Sequence, residues 1–225
     1  MKTTPPAGEI VEAWWPEGVG CTPMDDLALL EAWRVGDSDA GGALFERHFR
    51  SVYGFFRNKT SGSIDDLVQK TFMACVEGRD RVKASSFRAY LFGVARNVLY
   101  GEFRMRRKEE AIDFGVSSAR DLAPGASTAL GRKEEHRLLL RALRRIPLNY
   151  QVALELYYVE GMRGPELAEI LEIPEATVRS RLRRGLERVK KEIEQLAANP
   201  SLVESTVGGL ETWASDLGGQ LRNPA

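Results

Sequence analysis

The stretch GMRGPELAEILEIPEATVRSRLRRGLERVKK, at residues 161–191, decides the fold. It contains two short amphipathic helical segments separated by a turn, because apolar residues recur at helical spacing on either side of the break. The second segment carries a run of basic side chains: Arg179, Arg181, Arg183, Arg184, Arg188, Lys190 and Lys191. A scaffold helix, a tight turn and a basic helix are the parts of a helix-turn-helix that enters the major groove. This stretch therefore predicts binding to duplex DNA.

The turn itself has one favourable and one unfavourable residue. Pro174 lies just before the predicted second helix, which we expect to begin at Glu175, and proline suits such a position. Glu172 occupies the turn, where glycine is often preferred because it reaches positive φ without strain. A basic amphipathic helix that is only a solvated surface remains the alternative for this segment.

Charge in this chain is segregated into patches. The 32 lysines and arginines balance 32 aspartates and glutamates, which excludes a uniformly basic coat for nucleic acid. Bases cluster at residues 104–108 and 179–191, so local patches would have to meet phosphate. Cys21 and Cys75 show no CxxC spacing, so we expect reduced thiols in a cytoplasmic protein. No apolar run approaches the length of a membrane span and no secretory signal is recognisable, so no direct membrane insertion is expected.

The sequence offers little for catalysis or metal binding. His48 and His136 lack ligand companions at metal-site spacing, and neither cysteine adjoins a histidine and an acid. No GxxxxGK[ST] loop is present for nucleotide hydrolysis. We therefore expect a protein that is not an enzyme, with no catalytic residues, no metal and no cofactor.

Five zones divide the chain. Residues 1–23 form an extension rich in proline and glycine, and residues 24–110 show helical apolar spacing. Residues 111–131 break every period with Gly, Ser and Pro and indicate a flexible linker, and helical spacing resumes over residues 132–197. Residues 198–225 form a tail with sparse apolar residues. No strand pattern is visible, so we predict an all-α protein of two small helical domains joined by the linker.

Aromatic and basic residues interleave over residues 87–108. Rings stack on unpaired bases while cations hold the backbone, so this mixture suits single-stranded nucleic acid. About half of the aromatics are explained by a buried core, and Phe87 and Leu91 have the spacing of such a face. Tyr90, Tyr100 and the arginines are the better candidates for an exposed face.

Three segments resemble the sigma-70 family of RNA polymerase sigma factors. DDLVQKTFMACV at residues 65–76 resembles its core-polymerase-binding helix, and SSFRAYLFGVARNVLYGEFRMRRK at residues 85–108 resembles the promoter-melting segment. LRRIPLNYQVALELYYVEGMRGPELAEILEIPEATVRSRLRRG, at residues 143–185, resembles the helix-turn-helix domain that reads the minus-35 element. Because only two domains with a short linker are visible, the chain is similar to the extracytoplasmic function (ECF) subgroup.

The resemblance implies a role for particular residues. Asp65, Asp66 and Gln69 would contact the core polymerase, with Lys70 where the family often has an acid and with Val76 in the core. The minus-10 contacts would be Ser85, Ser86, Arg96, Asn97, Tyr100 and Arg104. The minus-35 contacts would be Thr177, Arg179, Ser180, Arg181, Arg183 and Arg184. Arg179 and Arg183 would read bases, because arginine pairs bidentately with guanine, while Ser180, Arg181 and Arg184 would hold phosphate.

The function implied is promoter recognition, DNA melting and transcription initiation by a subunit of bacterial RNA polymerase. The resemblance also implies an anti-sigma partner that clamps the two domains and hides both DNA surfaces. The alternative is a stand-alone helix-turn-helix transcription regulator, which would have no use for Asp65, Asp66 and Gln69. The tail could dock on the C-terminal domain, mask its DNA face, or be inert.

Overall fold

The computed structural model describes residues 25–60, 62–82, 87–106, 118–119 and 134–209. Their α-helices are α1 Asp26–Arg34, α2 Ser38–Arg57, α3 Ile64–Gly78, α4 Phe87–Arg106, α5 Glu134–Leu143, α6 Leu148–Tyr158, α7 Gly164–Leu171, α8 Glu175–Leu196 and α9 Pro200–Gly208. A short 3₁₀ turn, Arg79–Arg81, follows α3. The extended pairing found in these ranges is one isolated bridge between Ser118 and Pro147. The all-α prediction is confirmed.

Several helices begin at side chains that can cap them. The Asp25 carboxylate accepts a hydrogen bond from the Ala28 N–H at 2.8 Å, and the Ser63 hydroxyl accepts one from the Asp66 N–H at 3.2 Å. The side-chain oxygen of Asn199 caps α9 in the same way. Each cap satisfies a backbone donor that the helix leaves unpaired and contributes about 1 kcal/mol.

The first four helices pack around large buried side chains. Leu30, Leu44, Phe56, Phe92 and Phe103 are all completely buried. Trp33 of α1 meets Phe45 of α2 edge to face, with ring centroids 5.3 Å apart. This bundle contains the two segments that the sequence assigns to polymerase binding and promoter melting.

Helices α5 to α9 build a second bundle. Leu139, Leu143, Leu154 and Ile193 are buried at its centre, where α8 crosses α6. Gly185 allows this crossing, because a Cβ there would lie 3.1 Å from a Leu154 methyl carbon. The interdigitated leucines hold α8, and with it the basic residues, in one orientation.

The tail contains one ordered element that the sparse apolar pattern did not predict. Helix α9 packs against α5 and α8, with Leu202 and Val203 partly buried and Thr206 buried. It lies beside the C-terminal end of the basic helix, where Glu194 and Ala197 line a cavity together with Val203 and Val207. Residues 200–208 therefore dock on the C-terminal domain, which was one of the alternatives for the tail. Residues 210–225 lie outside the described ranges.

The two bundles share one continuous core. Val152, Leu156 and Met162 of the second bundle are fully buried in the same apolar cluster as the helices of the first. Helix α4 lies along α7, the scaffold helix of the helix-turn-helix. Of the predicted linker, the structure describes Ser118 and Ala119, and both are buried.

Candidate nucleic-acid and polymerase interfaces

The helix-turn-helix forms as the sequence predicts. Helix α7 ends at Leu171, and the residue after it, Glu172, has a left-handed backbone with φ 55° and ψ 44°. The Ile173 N–H then donates to the Ala168 carbonyl at 3.1 Å. Pro174 precedes the first residue of α8, Glu175. Val178, 1% exposed, anchors the start of α8 in the core. The left-handed conformation at Glu172 is one that L residues adopt at a cost of about 1–2 kcal/mol.

The outer face of α8 is basic and open to solvent. Thr177, Arg179, Arg183 and Arg184 are all exposed, and the Arg179 side chain is 85% exposed. The Ser180 hydroxyl, which is partly buried, donates to the Thr177 carbonyl at 2.9 Å. These side chains lie in the N-terminal half of α8. The arrangement has the shape and charge that a major groove admits.

Arg181 differs from its neighbours on α8 because it points toward α4. Its guanidinium is half-buried, and this burial lowers its pKa, although the nearby Tyr100 and Tyr150 oppose the shift. Its assignment as a phosphate contact stays a prediction. In the arrangement seen here, Arg181 lies at the junction of the two bundles.

The predicted melting face of α4 is covered by α7. The Arg96 Nη1 donates to the Ile170 carbonyl at 3.0 Å and lies 3.2 Å from the Glu172 carboxylate. Tyr100 lies beneath the Arg96 guanidinium, with 5.0 Å to the ring centroid, and burial raises the pKa of its phenol. The predicted exposure of Tyr100 is wrong: the residue is 6% exposed, because α7 packs on this side of α4.

The other predicted minus-10 residues fall into two groups, those exposed on α4 and those outside the described residues. Asn97 and Arg104 are exposed on α4. Ser85 and Ser86 lie outside the described residues. The structure therefore presents part of the predicted melting surface to solvent and buries the aromatic part that would stack on a base.

The predicted polymerase contacts lie at an apolar groove between α2 and α3. Asp65, Asp66 and Gln69 are exposed, and Asp65 and Gln69 stand at the rim of this groove. Its remaining lining is Phe45, Phe49, Val68, Phe72, Met73 and Val76. Val76 was predicted to be in the core and is instead 37% exposed, because α3 turns that side toward the groove. A polar rim around exposed aromatic and methionine side chains is typical of a protein-binding surface.

A buried polar junction joins the bundles, and sequence reasoning missed it. Lys59, which is fully buried, forms an ion pair with Glu155, 3% exposed, and also donates to the Phe55 carbonyl at 2.5 Å. The Gln151 amide donates to the same Glu155 carboxylate at 2.9 Å. Burial lowers the pKa of the Lys59 ammonium, and Glu155 opposes that shift. Nothing in the sequence pairs two residues of separate domains, so no local signal could have found this contact.

Other chemistry is limited in the part of the chain that the structure describes. No group of three or more histidine, cysteine or acidic side chains there could hold a metal ion. The Cys75 thiol is buried, and burial raises its pKa to about 12, which keeps it protonated and unreactive. Among the described helices, none combines the length and apolar character needed to cross a membrane.

Two family models match the two bundles. The model of sigma-70 region 2 matches residues 44–109, and the model of sigma-70 region 4 matches residues 136–189. Together they cover more than half of the chain. The chain belongs to the sigma-70 family of RNA polymerase sigma factors, in the extracytoplasmic function subgroup.

Individual relatives agree with this assignment. The ECF RNA polymerase sigma-E factor of Haemophilus influenzae is 28% identical over 185 residues, which are 77% of this chain and 97% of that protein. The sigma-E factor of Escherichia coli K12 is 25% identical over 184 residues, 77% of this chain and 96% of that protein. The structure of CnrH in complex with the cytosolic domain of CnrY is similar with a TM-score of 0.51 and 25% identity, covering 76% of this chain and 99% of that one. The sigma factor RpoE of Bartonella quintana, solved with the anti-sigma factor NepR, shares the fold at 21% identity and TM-score 0.54, covering 68% of this chain and 96% of that one.

Proposed function

We propose that this sigma factor selects promoters through three surfaces and without any catalysis of its own. The observation that carries the proposal is the exposed basic face of α8, held outward by the buried Val178 and by the Leu154–Gly185 crossing. In this proposal residues 24–110 bind the polymerase and the minus-10 element, and residues 132–197 bind the minus-35 element. Residues 1–23, 111–131 and 198–225 are the extension, the linker and the tail.

The polymerase-binding surface is the groove between α2 and α3 with its polar rim. Asp65 and Gln69 supply charge and amide contacts, and Phe49 and Met73 supply exposed apolar area beside them. Asp66 adjoins this rim on the first turn of α3. Lys70 is exposed on the same helix, where it would change the charge presented to a partner.

The minus-10 surface is the face of α4 that carries Arg96, Asn97, Tyr100 and Arg104, together with Ser85 and Ser86 before it. Extruding a base costs a few kcal/mol of pairing and stacking, and stacking on a tyrosine offsets part of this cost. Binding energy alone would drive melting, because the sequence contains no nucleotide-binding loop. The face must be uncovered before Tyr100 can act in this way.

The minus-35 surface is the N-terminal half of α8. Arg179 and Arg183 are the proposed base readers, since both are exposed one turn apart and arginine pairs bidentately with guanine O6 and N7. Thr177, Ser180, Arg181 and Arg184 would hold phosphates and set the register. The resulting contacts would be strongly dependent on salt concentration.

The location and the regulating partner follow from the same proposal. A subunit of bacterial polymerase that reads chromosomal promoters acts in the cytoplasm. An anti-sigma factor is the proposed regulator, supported by the similar sigma factor RpoE of Bartonella quintana, which was solved in complex with the anti-sigma factor NepR. A purified candidate that lowers transcription in proportion to its concentration would identify it.

Reconstituted transcription tests the proposed function. Purified chain and sigma-free bacterial core polymerase are incubated with a library of promoter fragments at fixed salt. We expect initiation that depends on this chain, from fragments that share two short elements. Binding of DNA without any polymerase association would instead establish a stand-alone helix-turn-helix regulator.

A pair of matched variants tests the polymerase surface. Asp65→Ala with Gln69→Ala removes the polar rim of the groove and should abolish most association with core polymerase, while duplex DNA binding by α8 is unchanged. Glu77→Ala removes an exposed acid from the same helix outside the groove lining and should behave like the wild type. Equal polymerase binding by both variants would show that the groove rim is not the contact.

A further inference from the structure

A short 3₁₀ turn follows α3, between the helix proposed to bind polymerase and the helix proposed to melt the promoter. It comprises Arg79, Asp80 and Arg81, and Val82 follows it in an extended conformation with φ −65° and ψ 122°. These four residues are called the 79–82 turn below. Asp80 and Arg81 are exposed, whereas Val82 is 3% exposed. The 79–82 turn is therefore anchored by its last residue and presents two charged side chains to solvent.

Arg34, the last residue of α1, binds the 79–82 turn at two backbone carbonyls. Its Nε donates to the Arg79 carbonyl at 3.4 Å, and its Nη2 donates to the Val82 carbonyl. The Val82 N–H also donates to the Arg79 carbonyl, at 3.3 Å. A guanidinium is planar and carries five N–H donors in a fixed fork, so one side chain can hold two acceptors at a set spacing. Arg34 thus ties both ends of the turn to α1.

The contacts of Arg34 are not explained by its position on α1 alone. A basic residue in the last turn of a helix interacts favourably with the helix dipole, and Nη1 of Arg34 also lies 3.3 Å from the Glu31 carboxylate on the same helix. Neither effect requires the two carbonyls, which lie 45 and 48 residues further along the chain. The Arg34 side chain is only 21% exposed, so it gives up water to reach them.

Two aromatic side chains pack at the same place. The Arg79 guanidinium carbon lies 6.0 Å from the ring centroid of Trp33, the neighbour of Arg34 on α1. The Tyr90 hydroxyl of α4 lies against Gly78, immediately before the turn, where a Cβ would overlap the phenol oxygen. Glycine is therefore needed at residue 78 for this close approach. Contacts from α1 and from α4 meet at the beginning of the 79–82 turn.

A fixed turn matters because groups that bind DNA lose affinity when they must first be ordered. Pre-ordering a segment removes part of the entropic cost of binding. A site that is competent only part of the time has its apparent affinity reduced by that fraction. Burial of Val82 anchors the turn but is non-directional, whereas hydrogen bonds from Arg34 fix the orientation of the peptide groups. The guanidinium therefore supplies the directional part of the anchor.

We propose that Arg34 is a positioning residue for minus-10 recognition, which fixes the 79–82 turn from α1 and thereby the direction in which Asp80 and Arg81 face the DNA. The inference rests on the proposed minus-10 role of residues 24–110. It adds a helix to that role, because the family model of sigma-70 region 2 matches residues 44–109 and α1 ends at Arg34. Arg34 touches no base and acts through the turn.

Arg34→Ala in the reconstituted holoenzyme tests this positioning role. Initiation is measured on a promoter obtained from the library and on its single-base variants in both elements. The ratio of parent to variant should fall roughly tenfold within the minus-10 element and stay unchanged within the minus-35 element. Affinity for core polymerase should also be unchanged, because the groove between α2 and α3 keeps its lining. A merely structural role would instead lower initiation equally on every promoter, and unchanged ratios would overturn the proposal.

Two further variants separate the carbonyl contacts from charge and from folding. Glu31→Ala removes the other partner of Arg34 and leaves both carbonyl contacts, so this matched control should keep the wild-type ratios. Arg34→Lys keeps the positive charge but lacks the fork, so its minus-10 ratios should lie between those of Arg34→Ala and the wild type. It also carries the comparison if Arg34→Ala does not fold. Wild-type ratios in a folded Arg34→Lys would overturn the two-carbonyl contact as the cause.

Hydrogen exchange of the free chain tests the contact without DNA or polymerase. The Val82 amide should exchange about tenfold faster in Arg34→Ala, while amides in the middle of α3 and α4 keep their wild-type rates. Unchanged exchange at Val82 would overturn the fixing of the turn by Arg34. Faster exchange with unchanged minus-10 ratios would overturn its promoter role. If the wild type does not initiate with core polymerase, the proposed function fails, and exchange alone decides whether Arg34 fixes the turn.

Discussion

Two arginine-bearing helices in this protein present their charges in opposite ways. On α8, Arg179, Arg183 and Arg184 stand in solvent, whereas on α4, Arg96 is held against α7 beside a buried Tyr100. Both helices are basic and amphipathic in sequence, so composition does not distinguish them. The difference shows that the exposure of a basic helix to DNA depends on what packs against it, and this cannot be read from the composition of the helix alone.

The largest expected effects come from replacing one or both of the buried charges with apolar side chains. Lys59→Met with Glu155→Leu removes the desolvation penalty of the buried ion pair and should stabilise the folded chain by about 1–4 kcal/mol. Denaturant unfolding measures this gain.

A single replacement is the control for the double one. Lys59→Met alone leaves the Glu155 carboxylate buried without its cation, which should cost about 3–5 kcal/mol of stability. A single variant as stable as the wild type would mean that the junction is solvated in solution and carries no such penalty.

Two arginines of α8 differ in exposure: Arg183 is exposed, whereas Arg181 is partly buried. Arg183→Ala should lose about 1–3 kcal/mol of duplex binding at one base position, because an exposed arginine can read a base edge. Arg181→Ala should weaken binding similarly on every sequence, since it is proposed to contact phosphate. Competition binding on promoter variants measures both, and an equal loss on every variant for Arg183 would make it a phosphate contact as well.

The turn at Glu172 follows α7 and also contacts α4, through the ion pair with Arg96. Glu172→Gly relieves a left-handed backbone, a change of about 1–2 kcal/mol in favour of the fold. It also loses a partly exposed ion pair with Arg96, which contributes at most about 1 kcal/mol. The net effect should be a modest rise in the midpoint of thermal unfolding. A fall in that midpoint would show that the Arg96–Glu172 pair holds the bundles together more strongly than an exposed pair does.

The helices and the motif were predictable because their signals are local. Apolar spacing identified the helices, and the turn before Glu175 identified the helix-turn-helix. The burial of Tyr100 was not predictable, because it depends on contact with a segment about 70 residues away in sequence. The burial of Lys59 was not predictable from its charge either. A lysine is normally expected at the surface, and Lys59 is buried only because Glu155, from a distant helix, pairs with it.

The smallest expected effect tests whether the Glu175 carboxylate weakens duplex DNA binding by the exposed face of α8. Glu175, in the first turn of α8, lies 4.0 Å from the Arg179 guanidinium, so it partly neutralises a proposed base reader and adds negative charge where phosphates would approach. Glu175→Gln should lower helix stability by about 0.3–0.5 kcal/mol through loss of this pair. It should also tighten duplex binding slightly, and more at low salt than at high salt, because screening weakens the charge effect. If binding is unchanged at both salt concentrations, Arg179 does not approach the DNA, and Arg183 and Arg184 define the contact instead.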